Sequence, residues 1–316
     1  MRVSVVERSA PGKIILCGEH SVVYGRPAIA VPVSDMRAYA RVEPGPVGEG
    51  LRIRALNLRK ELRLRTTGAG EPLARAARLV LDHLQTPEPD AVLTIRSDVP
   101  IASGMGSGAA VTAAAVRALA AALDHELSPD MVSTLTYEVE KIHHGMPSGI
   151  DNTVIAWEHP IYFVKGEAPE TFRIHTPFHL VIANSGIAGS TREAVTEVHH
   201  RWAKTPQYYD VIFNCIGAIV RAARSAIEEG ALPALGVLLN ENQELLMNLG
   251  VSLPQLDMLT KSARKAGALG AKLTGAGQGG NVIALVESDR LEEVSRALRD
   301  AGAVAVWQTR VGSREP

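Results

Sequence analysis

Close to the N-terminus, Ser9-Ala10-Pro11-Gly12-Lys13-Ile14-Ile15-Leu16-Cys17-Gly18-Glu19-His20 sets a lysine beside a Pro-Gly pair at the start of an apolar run. The chain has eight lysines against twenty-five arginines, so a lysine in a tight apolar turn stands out. Its ammonium is a compact charge suited to a phosphate or a developing alkoxide; the plain alternative is a solvated side chain. Further on, Pro100-Ile101-Ala102-Ser103-Gly104-Met105-Gly106-Ser107-Gly108 leads straight into an alanine-rich stretch over residues 109–123. A glycine-rich turn ahead of a helix gathers free N–H groups and the positive end of the helix dipole at one point, which is an anion site. Without a ligand the same loop is a strand-to-helix turn. Glu140 falls at a helix end and Asp151, eleven residues on, in a Pro-Ser-Gly turn. Two carboxylates so placed can converge on a metal–phosphate cluster, or serve as a surface ion-pair partner and a turn aspartate. Lys272-Leu273-Thr274-Gly275-Ala276-Gly277-Gln278-Gly279-Gly280 is a second glycine-rich loop after a strand, or a turn or bulge.

Three familiar chemistries are excluded. The 104–108 loop continues into Gly108-Ala109-Ala110 and lacks the Gly-Lys-Ser/Thr that ends a Walker A loop. Its GxGxG spacing is not the dinucleotide-binding GxGxxG, and a helix-to-helix connection at residues 125–129 stands where that fingerprint needs an acidic residue. His143 and His144 are adjacent on a helix, where side chains diverge by about 100°, so the pair cannot chelate one zinc.

The elements that must hold these residues follow from periodicity and turn chemistry. Strand patterns cover residues 4–7, 13–16, 28–33 and 37–42, the first two flanking Ala10-Pro11-Gly12 as two strands or a strand and a turn. Apolar and basic residues alternate over 51–64, which predicts a solvated antiparallel hairpin. Helices are predicted over 72–84, 109–123 and 129–144, the last begun by Ser128-Pro129 and stopped by Gly145. A loop spans 146–152. Strands at 161–164, 172–175 and 179–183 precede helices over 191–203, 208–229, 232–247 and 254–266. A strand at 271–274, a strand at 281–286, a helix at 290–301 and a strand at 303–309 finish the chain. The domain boundary is expected near Thr176-Pro177-Phe178, giving domains 1–176 and 177–316.

Composition limits the class. With 46% apolar and 21% charged residues over 316 positions, this is a globular chain of about two domains. Net charge is −1, so no global field favours nucleic acid or an anionic membrane. The two cysteines, Cys17 and Cys215, form no CxxC pair and suit a reducing, cytoplasmic setting. The N-terminal stretch is too short and too charged for a signal peptide, and no run approaches a membrane span. Aromatic residues make up only 4%, so the core must be largely Ala, Val, Leu and Ile.

Taken together, the segments 10–20, 100–110 and 272–280 resemble, in order, the three motifs of the GHMP kinases. The likeness spans nearly the whole chain. His144-Gly145-Met146-Pro147-Ser148-Gly149-Ile150-Asp151-Asn152, Gly189-Ser190-Thr191-Arg192 and Leu249-Gly250-Val251-Ser252 are similar to the mevalonate kinase branch. The resemblance implies an α+β, two-domain fold: an N-terminal α/β domain like ribosomal S5 domain 2, a ferredoxin-like C-terminal domain, and the active site in the cleft between them. It implies ATP and Mg²⁺, a small alcohol as substrate, and phosphorylation of the 5-hydroxyl of mevalonate. A sister GHMP kinase, such as a mevalonate 3-kinase, a phosphomevalonate kinase or a sugar kinase, is the alternative. Asp151 and Lys13 would be catalytic. Pro100, Ser103, Gly104, Met105, Gly106, Ser107 and Gly108 would wrap the ATP phosphates, and Glu140 with Ser107 would hold Mg²⁺. Lys13, Glu19, His20, Asp151, Thr191 and Ala276 would contact the alcohol. Dimers are common in the family, so a homodimer is a further expectation. Three positions depart from the branch: Gly108 stands where a second serine is usual, Gln278 where glycine is usual, and Asn281 where cysteine is common.

Overall fold

The computed structural model describes residues 3–101, 103–144 and 148–312. The expected helix stop at Gly145, the Met146-Pro147 start of the loop and the His143 and His144 side chains lie outside the described residues. The chain divides into two compact units. Unit 1 holds Lys13 and the residues before it, Met36–Ile101 and Gly106–Glu158; unit 2 holds Ile14–Asp35, the loop residues Ser103–Met105 and the chain from His159 onward. No helix among the described residues is long and apolar enough to cross a membrane.

The strand β1 (Val6–Cys17) runs unbroken through Pro11-Gly12 and pairs with β2 (Ala28–Pro44), so the Pro-Gly pair is part of one strand and not a turn between two. β3 (Leu51–Ala55) and β4 (Lys60–Arg63) form the antiparallel hairpin that the alternation predicts, with Leu51, Ile53 and Ala55 buried. The helix α1 (Pro72–Leu84) then carries the chain to β5 (Ala91–Ser97), which runs parallel to β3 and antiparallel to residues Ala38–Pro44 of β2. The alanine-rich helix α2 (Ser107–Ala122) packs against α1, α3 (Pro129–His144) and α4 (Ile150–Trp157). Twelve of its sixteen residues are buried. Small side chains let several neighbours approach one axis, which is how a chain poor in aromatics closes this core. The N-cap of α3 is Ser128, whose Oγ accepts the Met131 N–H at 3.2 Å.

α4 is absent from the sequence reading, which has a loop through Asn152. Its Thr153-Val154-Ile155 core is β-branched and carries little helix propensity. Burial of Ile150, Val154, Ile155 and Ala156 overrides that preference. Asp151 therefore sits in the first turn of a helix, where the dipole favours a negative side chain.

In unit 2, residues Ala28–Ala30 of β2 pair with β6 (Ile161–Phe163), which pairs with the short β7 (Glu170–Thr171). The strand expected at 172–175 does not form: the His175 N–H goes to the Ile227 carbonyl at a helix end. A second sheet is wholly antiparallel. β8 (Phe178–Asn184) lies between β11 (Ala305–Val311) and β10 (Asn281–Val286), and β10 pairs outward with β9 (Gly270–Thr274). Counting only these strands, the spatial order is fourth, first, third, second, a ferredoxin-like arrangement. Between β8 and β9 lie the helices α5 (Thr191–Lys204), α6 (Pro206–Glu229), α7 (Leu232–Asn248) and α8 (Pro254–Lys265), and α9 (Leu291–Asp300) precedes β11. These bounds lie within about two residues of the periodicity reading, because Pro at the first helical position and Gly230 after the last punctuate the sequence.

Candidate active site

Unit 1 gathers four of the sequence-selected residues. Lys13 comes from β1, Asp151 from the first turn of α4, Glu140 from the last turns of α3 and Gly106 from the cap of α2. The buried Lys13 Nζ lies 3.0 Å from Asp151 Oδ1, with the lysine side chain 5% and the aspartate 31% exposed. One partner is thus enclosed and the other reaches solvent. Gly106 has φ +71°, and a Cβ there would stand 2.9 Å from Lys13 Cγ and Ile155 Cδ1. Only glycine meets both conditions, and its absent side chain is what lets the lysine stem pass.

The first bond inside α2 runs from the Ala110 N–H to the Gly106 carbonyl. The N–H groups of Ser107, Gly108 and Ala109 precede it and belong to the anion-attracting first turn. Ser107 Oγ donates to the Val99 carbonyl at 3.2 Å. Gly108 is the position beside Glu140: a Cβ there would lie 3.3 Å from Glu140 Oε1.

Glu140 is buried, and burial first, then the nearby Asp151 charge, push its carboxyl up from 4.5 to about 7, with Lys13 pulling the other way. Two carboxylates sharing one ammonium leave net negative charge in a desolvated place. That donor set fits Mg²⁺, which binds through one or two carboxylates and takes its remaining oxygens from substrate phosphates and water. No group of three or more His, Cys, Asp or Glu side chains able to hold a metal by themselves occurs among the described residues.

A pH dependence follows. Between about 4.5 and about 7 the folded chain keeps the Glu140 proton that the unfolded chain has released. The folded state then binds more protons, and stability falls as pH rises through that window. The metal-free protein is expected to lose more melting temperature between about pH 5 and about pH 8 than Glu140→Gln does. Thermal melts of the two proteins across this range check it, and parallel curves would remove Glu140 as the source.

Unit 2 gathers a second cluster. His20 is buried with φ +61° and places Nε2 2.8 Å from the Ala276 carbonyl oxygen. A carbonyl only accepts, so Nε2 carries the proton and Nδ1 keeps its lone pair for a hydroxyl donor. Burial, with the charges of Arg201 and Lys272 adding to it, pushes the imidazole down to about 4, so it is neutral at physiological pH. Glu19 is paired with Lys272 Nζ, and both side chains are closed off from solvent. The same burial and the Glu19 charge push the Cys17 thiol up to about 12, which makes it an inert core side chain.

The other expected residues each have their own local setting. Thr191 is the exposed first residue of α5, capped by Ser190, whose Oγ accepts the Glu193 N–H at 3.3 Å. Met105 is buried, Gly104 is exposed and Pro100 is half-buried. The Ser103 carbonyl accepts from Asn281 Nδ2 at 2.6 Å, and Asn281 Oδ1 accepts from Asn184 Nδ2 at 2.8 Å. Asn281 thus pins one end of the first glycine-rich loop. The sequence reading has no role for Lys272. Its signal was there: a lysine between Ala271 and Leu273 in an apolar strand needs a buried counter-charge.

Comparison with known proteins agrees with this picture. The model of the GHMP kinases N terminal domain matches residues 72–158, and that of the GHMP kinases C terminal matches residues 223–304. The chain is 37% identical to a mevalonate kinase of Thermococcus sibiricus over 94% of both chains. It is also 37% identical to one of Pyrococcus abyssi, over 94% of this chain and 93% of that one. Among solved structures, the L. major mevalonate kinase in complex with R-mevalonate matches with TM-score 0.84 and 28% identity, covering 98% of this chain and 96% of that one. The Methanococcus jannaschii mevalonate kinase matches with TM-score 0.85 and 26% identity over 98% of each.

Proposed function

The chain belongs to the GHMP kinases, and from that premise we propose that it is an ATP-dependent mevalonate kinase, moving the γ-phosphoryl group of ATP onto the 5-hydroxyl of mevalonate. The observation that carries the chemistry is the Lys13–Asp151 pair beside the buried Glu140. Phosphoryl transfer asks little covalent work of a protein and depends on position and charge neutralisation. The first-turn amides of α2 and the loop from Pro100 to Gly108, through Ser103, Gly104, Met105, Gly106 and Ser107, bind the nucleotide phosphates. Glu140, with Ser107, is the site for Mg²⁺, which when bound neutralises developing phosphate charge.

Asp151 accepts the hydroxyl proton. An aspartate is a weak base for an alcohol, since its usual value is near 4. Lys13 therefore stabilises the alkoxide as it forms, and its short contact with Asp151 keeps both groups on the same oxygen. Glu19, His20, Thr191 and Ala276 hold the rest of the alcohol, with neutral His20 offering Nδ1 as an acceptor.

Incubation with ATP, Mg²⁺ and mevalonate tests the proposal, with phosphorus–proton NMR locating the new ester. A phosphate coupled to the C5 methylene supports it. A 3-phosphate, or turnover only of phosphomevalonate or a sugar, replaces it with one of the sister activities.

A further inference from the structure

The second glycine-rich loop contains one residue that does not suit its backbone. Gly277, Gln278, Gly279 and Gly280 all have positive φ, and Gln278 holds +54° with a full side chain. Such a conformation costs a non-glycine residue free energy unless its surroundings hold it. Here they do. The Gln278 N–H donates to the Val251 carbonyl at 2.7 Å, and its Nε2 donates to Glu197 Oε2 at 2.5 Å. Glu197 pairs with Arg201 one turn along α5. Arg201 Nη1 in turn donates to the carbonyls of Leu249, at 2.9 Å, and Gly250, at 3.3 Å. The ring closes, because Val251 follows Gly250. It joins three segments of unit 2: the glycine-rich loop, α5 and the turn after α7.

The ring stands against the substrate-side cluster at two points. Ala276, two residues before Gln278, supplies the carbonyl that holds His20 Nε2–H. Arg201 lends the charge that helps keep His20 neutral. The Glu197 side chain is 52% and Arg201 28% exposed. Pairs this open to water add little to overall stability, so the ring's effect is local to the loop. Gly277 cannot replace it as a brace: a Cβ there would meet the Val251 carbonyl at 2.2 Å, so the loop's own approach to the turn leaves only the Gln278 side chain to reach α5.

We propose that Gln278 is a positioning residue for the alcohol substrate: by latching the loop to Glu197 and Arg201 it fixes the Ala276 carbonyl and, through it, the orientation and tautomer of His20. This rests on the reading above, in which His20 contacts the alcohol. Gln278→Gly removes the latch and leaves the backbone free to keep its shape. In the full-length enzyme it is expected to raise KM for mevalonate about three- to tenfold, the worth of one hydrogen bond, with kcat within about twofold. KM for ATP and the melting temperature stay at the wild-type values. Gln278→Glu, which faces Glu197 with a like charge, moves KM further in the same direction. Glu197→Ala matches Gln278→Gly, and the double variant is no worse than either single one. Independently of activity, nitrogen-15 NMR of the wild-type histidines shows His20 as a single Nε2–H tautomer, and Gln278→Gly mixes the two forms. A common change in both KM values, additive single effects or an unaltered His20 resonance overturns the proposal. If the wild-type enzyme phosphorylates no mevalonate, the functional reading fails and the latch is judged on the His20 resonance alone.

Discussion

Asp151→Asn is expected to lower kcat about 100- to 10,000-fold while the dissociation constant for ATP stays within a few fold. The substitution keeps shape and leaves the first turn of α4 intact, and the amide oxygen still accepts a hydrogen bond from Lys13. Two things are lost. The amide cannot take the hydroxyl proton, and the buried Lys13 ammonium loses the anion 3.0 Å away. Lys13 then keeps the Glu140 charge as a partner, so less of its field is left to raise the alcohol's acidity. On the proposed reading, nucleotide binding rests on the loop amides, which the substitution leaves in place. Single-turnover quench measurements read the chemical step, and calorimetric titration with ATP reads binding. Retention of more than about a fifth of wild-type kcat would show that another group takes the proton. The same variant should move Glu140. The Asp151 charge is one of the two effects that raise that carboxyl, so removing it lowers the Glu140 value; the stability loss still begins near the unfolded value of 4.5 but ends at lower pH than in the wild type. Burial, the larger cause, remains, so the value stays above 4.5.

The sequence carries the helices and the second sheet well, because Pro at helix starts, glycine after helix ends and long periodic faces are local signals. The lysine and the glycine-rich turn are legible for the same reason: they break the local pattern. What is not legible depends on partners distant in sequence. α4 goes unread because Thr153-Val154-Ile155 favours a strand locally and only burial decides otherwise. The 172–175 segment has a strand's composition and loses its ladder to a helix end more than fifty residues away. Glu140 and Asp151 can be singled out as carboxylates, yet nothing local says that the Asp151 charge adds to the cost of ionising Glu140. Lys272 shows the limit most clearly. Its counter-ion lies 253 positions earlier, and no window of sequence contains both.

That pair sets the largest expected loss of stability. Lys272 is 0% and Glu19 1% exposed, and Lys272 Nζ also donates to the Leu273 carbonyl. Lys272→Met fills the same volume with an apolar side chain and leaves a buried carboxylate facing it. Breaking such a pair from one side costs about 3–5 kcal/mol, because the remaining ion keeps its desolvation cost and loses its partner. At about 2–4 °C per kcal/mol for a unit of this size, the melting temperature should drop by about 6–20 °C. Glu19 can limit the damage by taking a proton, so the loss should be greater at high pH than at low pH. The second variant separates charge from packing. In Lys272→Met with Glu19→Gln no ion is buried, and a well-packed neutral pair is often as stable as the ionic one, so most of the lost stability should return. On the proposed reading, in which Glu19 contacts the alcohol, mevalonate binding should not return with it. Calorimetry and KM for mevalonate measure the two halves of this expectation. A single variant within about 1 kcal/mol of wild type means water reaches the pair. A double variant that regains KM as well as stability means Glu19 serves the frame alone, and His20 with Ala276 carries the alcohol.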